Sequence, residues 1–202
     1  MPDNSWRLGS GPGHPLYELY DALRRRLNGR ITGWMAARAL QGGGIAIEAG
    51  SGTGYASSLL AAHARLSIAV DNDPAALAAG RAERPGLVGV VADIRQLPFR
   101  ADAAQLVWNS STVEHLPDPA QVVAEMARVA APAGTVYVGV PWRRGPLFFQ
   151  RWIANTALGV WLGTVYGRAD VENWLRAAGC APYDAWQYFV GFFVGVAGRK
   201  TG

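Results

Sequence analysis

Three glycines at alternate positions, Gly50, Gly52 and Gly54, begin two residues after Glu48, and an aspartate, Asp71, closes a second apolar run twenty-one residues after Gly50. Glycine lets a backbone turn sharply and leaves no Cβ between the turn and a ligand. A helix starting behind such a turn presents unpaired N–H groups and a partial positive charge. A carboxylate at the tip of the next strand can accept from both hydroxyls of a ribose. These residues together have the chemistry of a nucleoside-ligand site. Spacing bears on which nucleoside: a dinucleotide fingerprint reads G-x-G-x-x-G, whereas this loop reads E-A-G-S-G-T-G, with Ser51 between the first two glycines.

Two further stretches carry polar groups at the ends of apolar runs. Residues 90–99, V-V-A-D-I-R-Q-L-P-F, place Asp93 and Ile94 just after the third run. Residues 106–119, L-V-W-N-S-S-T-V-E-H-L-P-D-P, end the fourth run at Asn109 and Ser110 and then add His115. An imidazole titrates at about pH 6.5 when unperturbed, so His115 is the candidate general base.

The elements that must position these groups alternate. Helical spacing predicts helices over residues 15–27 and 31–40, the second ended by Gly42, Gly43 and Gly44. Strands are expected at 45–48, 66–70, 87–91, 104–108 and 134–140. Helices are expected at 55–64, 74–83, 119–130 and 170–178, with Asp73 and Asp118 as N-caps and Pro74 and Pro119 at the first helical positions. Short connections between alternating strands and helices predict a parallel sheet covered on both faces. The end of the chain differs. Apolar runs at 183–190 and 192–197, parted only by Gly191, can neighbour each other only as an antiparallel pair.

These motifs and their order resemble the class I S-adenosylmethionine-dependent methyltransferases, in the small-molecule branch typified by methyltransferase type 11. The resemblance covers about residues 40–200. It rests on an acidic residue followed by G-x-G-x-G, on D-[apolar]-x-x-L-P-F after the third strand, and on E-H-[apolar] after the fourth. It implies a single Rossmann-like α/β domain with a mostly parallel seven-stranded sheet, one antiparallel strand and helices on both faces. S-adenosylmethionine is then the implied cofactor, leaving as S-adenosylhomocysteine. The cofactor-binding residues carried over are Glu48, Gly50, Ser51, Gly52, Gly54, Asp71, Asn72, Asp93, Ile94, Asn109 and Ser110. In this reading Glu48 suits the methionine ammonium, directly or through water, and Asp71 the ribose. Asn72 and Asp93 meet the adenine edge, with the Ile94 N–H on a ring nitrogen. The backbone at Asn109 and Ser110 meets the ammonium, and His115 points toward the methionine end or the substrate. Metal-assisted relatives carry E-x-x-E-H, but here Ser111 replaces the first Glu, so no metal is expected. The [DN]-P-P-[YF] motif of amino-group DNA methyltransferases is replaced by W-N-S-S, which argues against a DNA-base substrate.

Composition sets outer bounds. The chain has 202 residues, half of them hydrophobic and 17% charged, which suits one globular domain with a full core. One cysteine, Cys180, excludes a disulfide framework within the monomer. The net charge of +4 comes from scattered arginines, with Lys200 the sole lysine, rather than from a basic stripe, so no nucleic-acid partner is expected. The first residues lack the apolar core of a leader, and a cytoplasmic setting is expected. Residues 1–40 are read as a helical lid or substrate cover and 41–202 as the methyltransferase domain, with an aromatic insertion at 142–167. Residues 147–166 approach the length of a membrane span but contain Gln150, Arg151 and Asn155. The expectation is a pocket-lining segment rather than a span, with peripheral contact to a lipid-like substrate as the alternative. The acceptor pocket is expected from Tyr17, Tyr20, Trp142, Phe148, Phe149 and Trp152, and the acceptor is expected to be small and hydrophobic or aromatic. Two other classes stay open: an NAD(P)-dependent oxidoreductase, and a non-catalytic cofactor-binding or scaffold protein of the same fold.

Overall fold

The computed structural model describes residues 15–146, 163–188 and 190–202, with side chains described from residue 25. Seven strands form one sheet: β1 (Ile45–Ala49), β2 (Leu66–Asp71), β3 (Val88–Val91), β4 (Ala104–Ser110), β5 (Ala130–Pro141), β6 (Cys180–Tyr188) and β7 (Phe193–Lys200). Their order is β3-β2-β1-β4-β5-β7-β6. The strands from β3 to β5 pair in parallel. The last strand, β7, runs antiparallel to both β5 and β6. The expected sheet, with its single antiparallel strand, is the one observed.

Helices cover both faces because alternate residues of the central strands are apolar on each side. Ile47, Val70, Val107 and Val138 face a core shared with α4 (Pro119–Val129) and α5 (Arg168–Ala177) through Val122, Met126, Val171 and Leu175. Ala46, Leu106, Trp108 and Tyr137 face the other way. They pack on α1 (Pro15–Ala39) and α2 (Tyr55–Leu60) through Ile31, Met35, Ala56 and Leu60. The helix α3 (Pro74–Glu83) lays Leu77 on Ala69 and Leu87. Its N-cap is Asp73, accepting from Ala75 N at 2.8 Å, and Asp118 caps α4 through Gln121 N.

The break expected between residues 27 and 31 is absent, since α1 runs unbroken from Pro15 to Ala39. Gly29 costs such a helix about 1 kcal/mol relative to alanine. Burying Ile31, Met35 and Leu40 against the sheet contributes roughly 1.5–3 kcal/mol per side chain and outweighs it. The boundary expected at residue 40 therefore falls within one core cluster, and residues 31–40 are part of the sheet's covering layer. Elsewhere α2 stops four residues early at Leu60, β6 begins at Cys180, and β5 begins at Ala130.

Strand order decides where a site can form. The chain moves outward from β1 to β3, then returns to place β4 on the other side of β1. Ligands of open α/β sheets bind in the crevice at the carboxyl ends of strands where the order reverses. Residues following β1, β2, β3 and β4 all line that one edge.

Candidate functional site

The glycine loop is held by the strands on either side of it. Gly50 N and Ser51 N both donate to Val70 O, at 2.8 and 2.9 Å. Gly52 N donates to Asp71 Oδ2 at 2.7 Å, and Asp73 N to Asp71 Oδ1 at 2.9 Å. From the other side, Thr112 Oγ1 donates to Gly50 O at 3.0 Å. Gly50 has φ 79°, and a Cβ there would sit 2.5 Å from the Thr112 side chain. Gly52 has φ 55°, but a Cβ there would meet nothing within 4 Å. The first glycine is required by the neighbouring chain; the second faces open space, as a loop that admits a ligand must.

Beside the loop lies a small cleft lined by Gly50, Asp71, Asn72, Asp93 and Ile94, all expected from the sequence. Three further residues complete its wall: Thr112 and Leu116 from the turn after β4, and Arg95. Only Asp93 could have announced Arg95, because an arginine two residues from a carboxylate is placed to pair with it. Arg95 Nη2 donates to Asp93 Oδ2 at 2.6 Å and Nε reaches both carboxylate oxygens at 3.0 Å. Those bonds hold the Asp93 carboxyl below the usual carboxylate range. Asp71 and Asp93 thus offer acceptor oxygens from two successive strand ends, with the buried Ile94 behind them.

Other expected cofactor residues are placed differently. Glu48 is buried, and its Oε2 accepts from Ser57 N at 2.9 Å and Ser57 Oγ at 2.5 Å. It therefore binds one of the α2 N–H groups expected to face the ligand. Gly54 is the N-cap of α2. Ser51 lies in the loop with its Oγ buried and unpartnered among the described residues. Asn109 is fully buried; its Nδ2 donates to Ala49 O and its Oδ1 accepts from Val113 N at 3.3 Å. It ties the end of β1 to the turn after β4. Ser110 turns toward β6, its Oγ 2.9 Å from the Tyr188 hydroxyl.

The turn after β4 holds two titratable groups of opposite surroundings. His115 ends a short 3-10 helix, Val113–His115, and is exposed at its surface. A Cβ on Gly163 would approach its ring to 2.9 Å, and this partial enclosure lowers the imidazole pKa. Glu114 beside it is 3% exposed, and its Oε2 is buried without a hydrogen-bond partner among the described residues. Desolvation pushes its carboxyl pKa up to about 8. In the sequence Glu114 belongs to the E-H-[apolar] motif and to the incomplete metal motif, and its apolar neighbours Val113 and Leu116 are the available sign of its burial. Of the expected acceptor-pocket residues, Trp142 is half-buried and bridges to Tyr166. The side chains of Tyr17 and Tyr20, and all of Phe148, Phe149 and Trp152, lie outside the described residues. Among the described residues no helix is long and apolar enough to cross a membrane.

The donor set fits S-adenosylmethionine: carboxylates at the ends of β2 and β3, an open side at Gly52, and the orphaned Ser51 hydroxyl in the loop. Comparison with known proteins agrees. Residues 47–138 match the family model described as a methyltransferase domain. A Mycobacterium tuberculosis protein named "Probable S-adenosylmethionine-dependent methyltransferase" is 39% identical over 97 residues, 48% of this chain and 35% of its own length. A Mycolicibacterium smegmatis protein of similar name is 38% identical over 97 residues, 48% of this chain and 38% of its own. The chain thus spans little more than a third of the length of these relatives. Among solved structures, the complex of a Haloferax volcanii methyltransferase with its Trm112 activator superposes with TM-score 0.73 at 18% identity, over 92% of this chain and 93% of that one. A Burkholderia thailandensis 1,6-didemethyltoxoflavin-N1-methyltransferase, solved with S-adenosylhomocysteine, gives 0.67 at 21%, over 92% and 84%. The [4+2]-cyclase SpnF also shares the fold, with TM-score 0.70 at 16% over 86% and 81%, so the fold alone does not name a reaction. Motifs, strand order and the match over residues 47–138 together make this chain similar to the S-adenosylmethionine-dependent methyltransferases.

Proposed function

We propose that the protein transfers a methyl group from S-adenosylmethionine to O, N or C of a small, hydrophobic or aromatic acceptor. The observation that carries this reading is the convergence of the glycine loop, Asp71 and Asp93 on one cleft at the switch point of the sheet. When bound, the cofactor supplies a methyl group already activated on a sulfonium. The chain has to hold it, align the acceptor behind the methyl carbon and exclude water. Asp71 is placed for the ribose hydroxyls, since each of its oxygens accepts one backbone N–H and keeps further lone-pair capacity. Asp93 and Ile94 are placed for the adenine, and Gly52 for close approach by the methionine end. Glu48 acts through Ser57, fixing α2 behind the loop.

The acceptor side is proposed across β4 from that cleft, where Trp142 bridges to Tyr166 and the Tyr188 hydroxyl meets Ser110. His115, whose lowered pKa keeps it neutral at working pH, is the proposed exit for an acceptor proton. Calorimetric titration with S-adenosylhomocysteine and, separately, NAD tests the donor reading. Binding of the first and not the second is expected; binding of NAD alone would favour an oxidoreductase. A screen of acceptors with labelled cofactor tests the rest, and turnover confined to highly polar or macromolecular acceptors would sink it.

A further inference from the structure

Glu114 is the one buried carboxyl in the described residues with an oxygen that bonds to nothing there. Apolar surroundings make a lone carboxyl costly unless a partner arrives or it stays protonated. The structure keeps it in place regardless. Thr164 N donates to Glu114 O at 3.1 Å, and Gly163, at φ 65°, passes so close that a Cβ there would lie 2.8 Å from Glu114 Cγ. The turn that carries it starts at Ser111, whose φ of 63° is rare for a residue with a side chain. Such outliers persist where surrounding structure over-determines them, and they gather at functional sites. The titratable groups that face Glu114 are Tyr188 from β6, Tyr166 from the segment before α5, and His115 on its own turn. Among the described residues none is a cation that would neutralise it.

We propose that Glu114 accepts the proton lost by the methyl acceptor, so that the acceptor reacts through a hydroxyl or through a neutral amine that bears an N–H. The reading rests on the methyl-transfer function above. A lone pair on the acceptor oxygen or nitrogen forms the new bond to the methyl carbon. The C–S bond breaks with its electrons passing to sulfur, leaving a neutral thioether. The acceptor's O–H or N–H proton goes to the Glu114 carboxylate, and from there past the exposed His115 to water. In this scheme Glu114 also gives specificity: an acceptor with no proton to donate leaves its buried oxygen unpaired. Glu114 touches the reacting group in this scheme, whereas the Ser110–Tyr188 pair acts only by positioning.

The test uses the whole protein and the Glu114→Gln variant, which mimics the protonated side chain and keeps its volume. A protonated-carboxyl infrared band is expected in the wild type at pH 6.5, fading as pH rises through about 8 and missing from the variant. The affinity for S-adenosylhomocysteine should be the same in both. Labelled methyl transfer is then measured to phenol, catechol and 2-naphthol, and to pyridine and N,N-dimethylaniline, which have no proton to lose. The expected result is transfer to at least one hydroxyl probe. It should rise with pH to a plateau above about 8 and fall at least 100-fold in E114Q. Equal rates in the two proteins, transfer only to pyridine or N,N-dimethylaniline, no transfer to any probe, or no such infrared band would overturn the proposal. Failure of the wild type to bind S-adenosylhomocysteine would instead overturn the methyltransferase reading beneath it.

Discussion

The two sides of β4 solve opposite problems. Toward β1 and β2, the cofactor cleft is made of backbone and short side chains whose polar atoms are largely satisfied within the protein. Asp71 accepts two N–H groups, Asn109 joins two chain segments, and Thr112 holds Gly50. Toward β5 and β6, the Tyr166 and Tyr188 hydroxyls interact electrostatically with Glu114, a buried carboxyl whose Oε2 has no hydrogen-bond partner among the described residues. The first side is a finished mould that awaits a known shape. The second keeps a buried polar atom, Glu114 Oε2, that no described residue satisfies. Substitutions should therefore separate the sides: cofactor affinity should respond on one, and pH-dependent stability on the other.

The largest effect is expected at Glu114. Its folded pKa of about 8 lies above the unfolded value near 4.5, so the folded state holds a proton that the unfolded state releases. Stability tied to this group is fully present below the unfolded pKa and is lost as pH rises through the folded one. At about 1.4 kcal/mol per pH unit, the loss approaches 4–5 kcal/mol. Glu114→Gln should match the wild type at pH 5 and exceed it increasingly up to pH 8, as urea midpoints will show. Parallel stability curves across that range would mean that the two sides do not differ in the way described.

Asp71→Ala attacks the other side. It removes two charge-assisted acceptors from the loop and the proposed ribose contact. Hydrogen bonds to charged groups contribute roughly 1.5–3 kcal/mol each. The dissociation constant for S-adenosylhomocysteine should rise by about 100-fold, measured by calorimetry. Gly52→Ala should act in the same direction and less strongly, by about tenfold. The added methyl enters open space that the ligand needs, at a φ that alanine tolerates poorly. If Gly52→Ala binds as well as the wild type, the loop is not the cofactor's seat.

The same contrast explains what could be read before the fold was seen. Gly50, Asp71 and Asp93 do work set by backbone conformation and strand ends, which leaves fixed residue types at fixed spacing. The single antiparallel strand was legible because Gly191 leaves room for no other pairing. Glu48 reads as a ligand contact by its residue type, and Asn109 by its backbone at a strand end. Their partners, Ser57 and Ala49, become visible only once strands and helices are stacked. The unbroken α1 was hidden for a related reason, since local propensity at Asn28 and Gly29 yields to the burial of Met35. Glu114 was the hardest to read, as its meaning lies wholly in what surrounds it.

Arg95 should give the smallest effect and the finest test of the boundary between a satisfied and an open site. Its guanidinium occupies both oxygens of Asp93, the acceptors assigned to the adenine amino group. Both residues are exposed, and exposed ion pairs are weak and screened by salt. Cofactor entry then needs only a partial retreat of the arginine. Arg95→Ala should tighten S-adenosylhomocysteine by about threefold at low salt, and the gain should fade as ionic strength rises and frees Asp93 in the wild type. A loss of affinity in this variant would show instead that Arg95 orients Asp93 toward the adenine, which would make the pair part of the mould rather than a competitor for it.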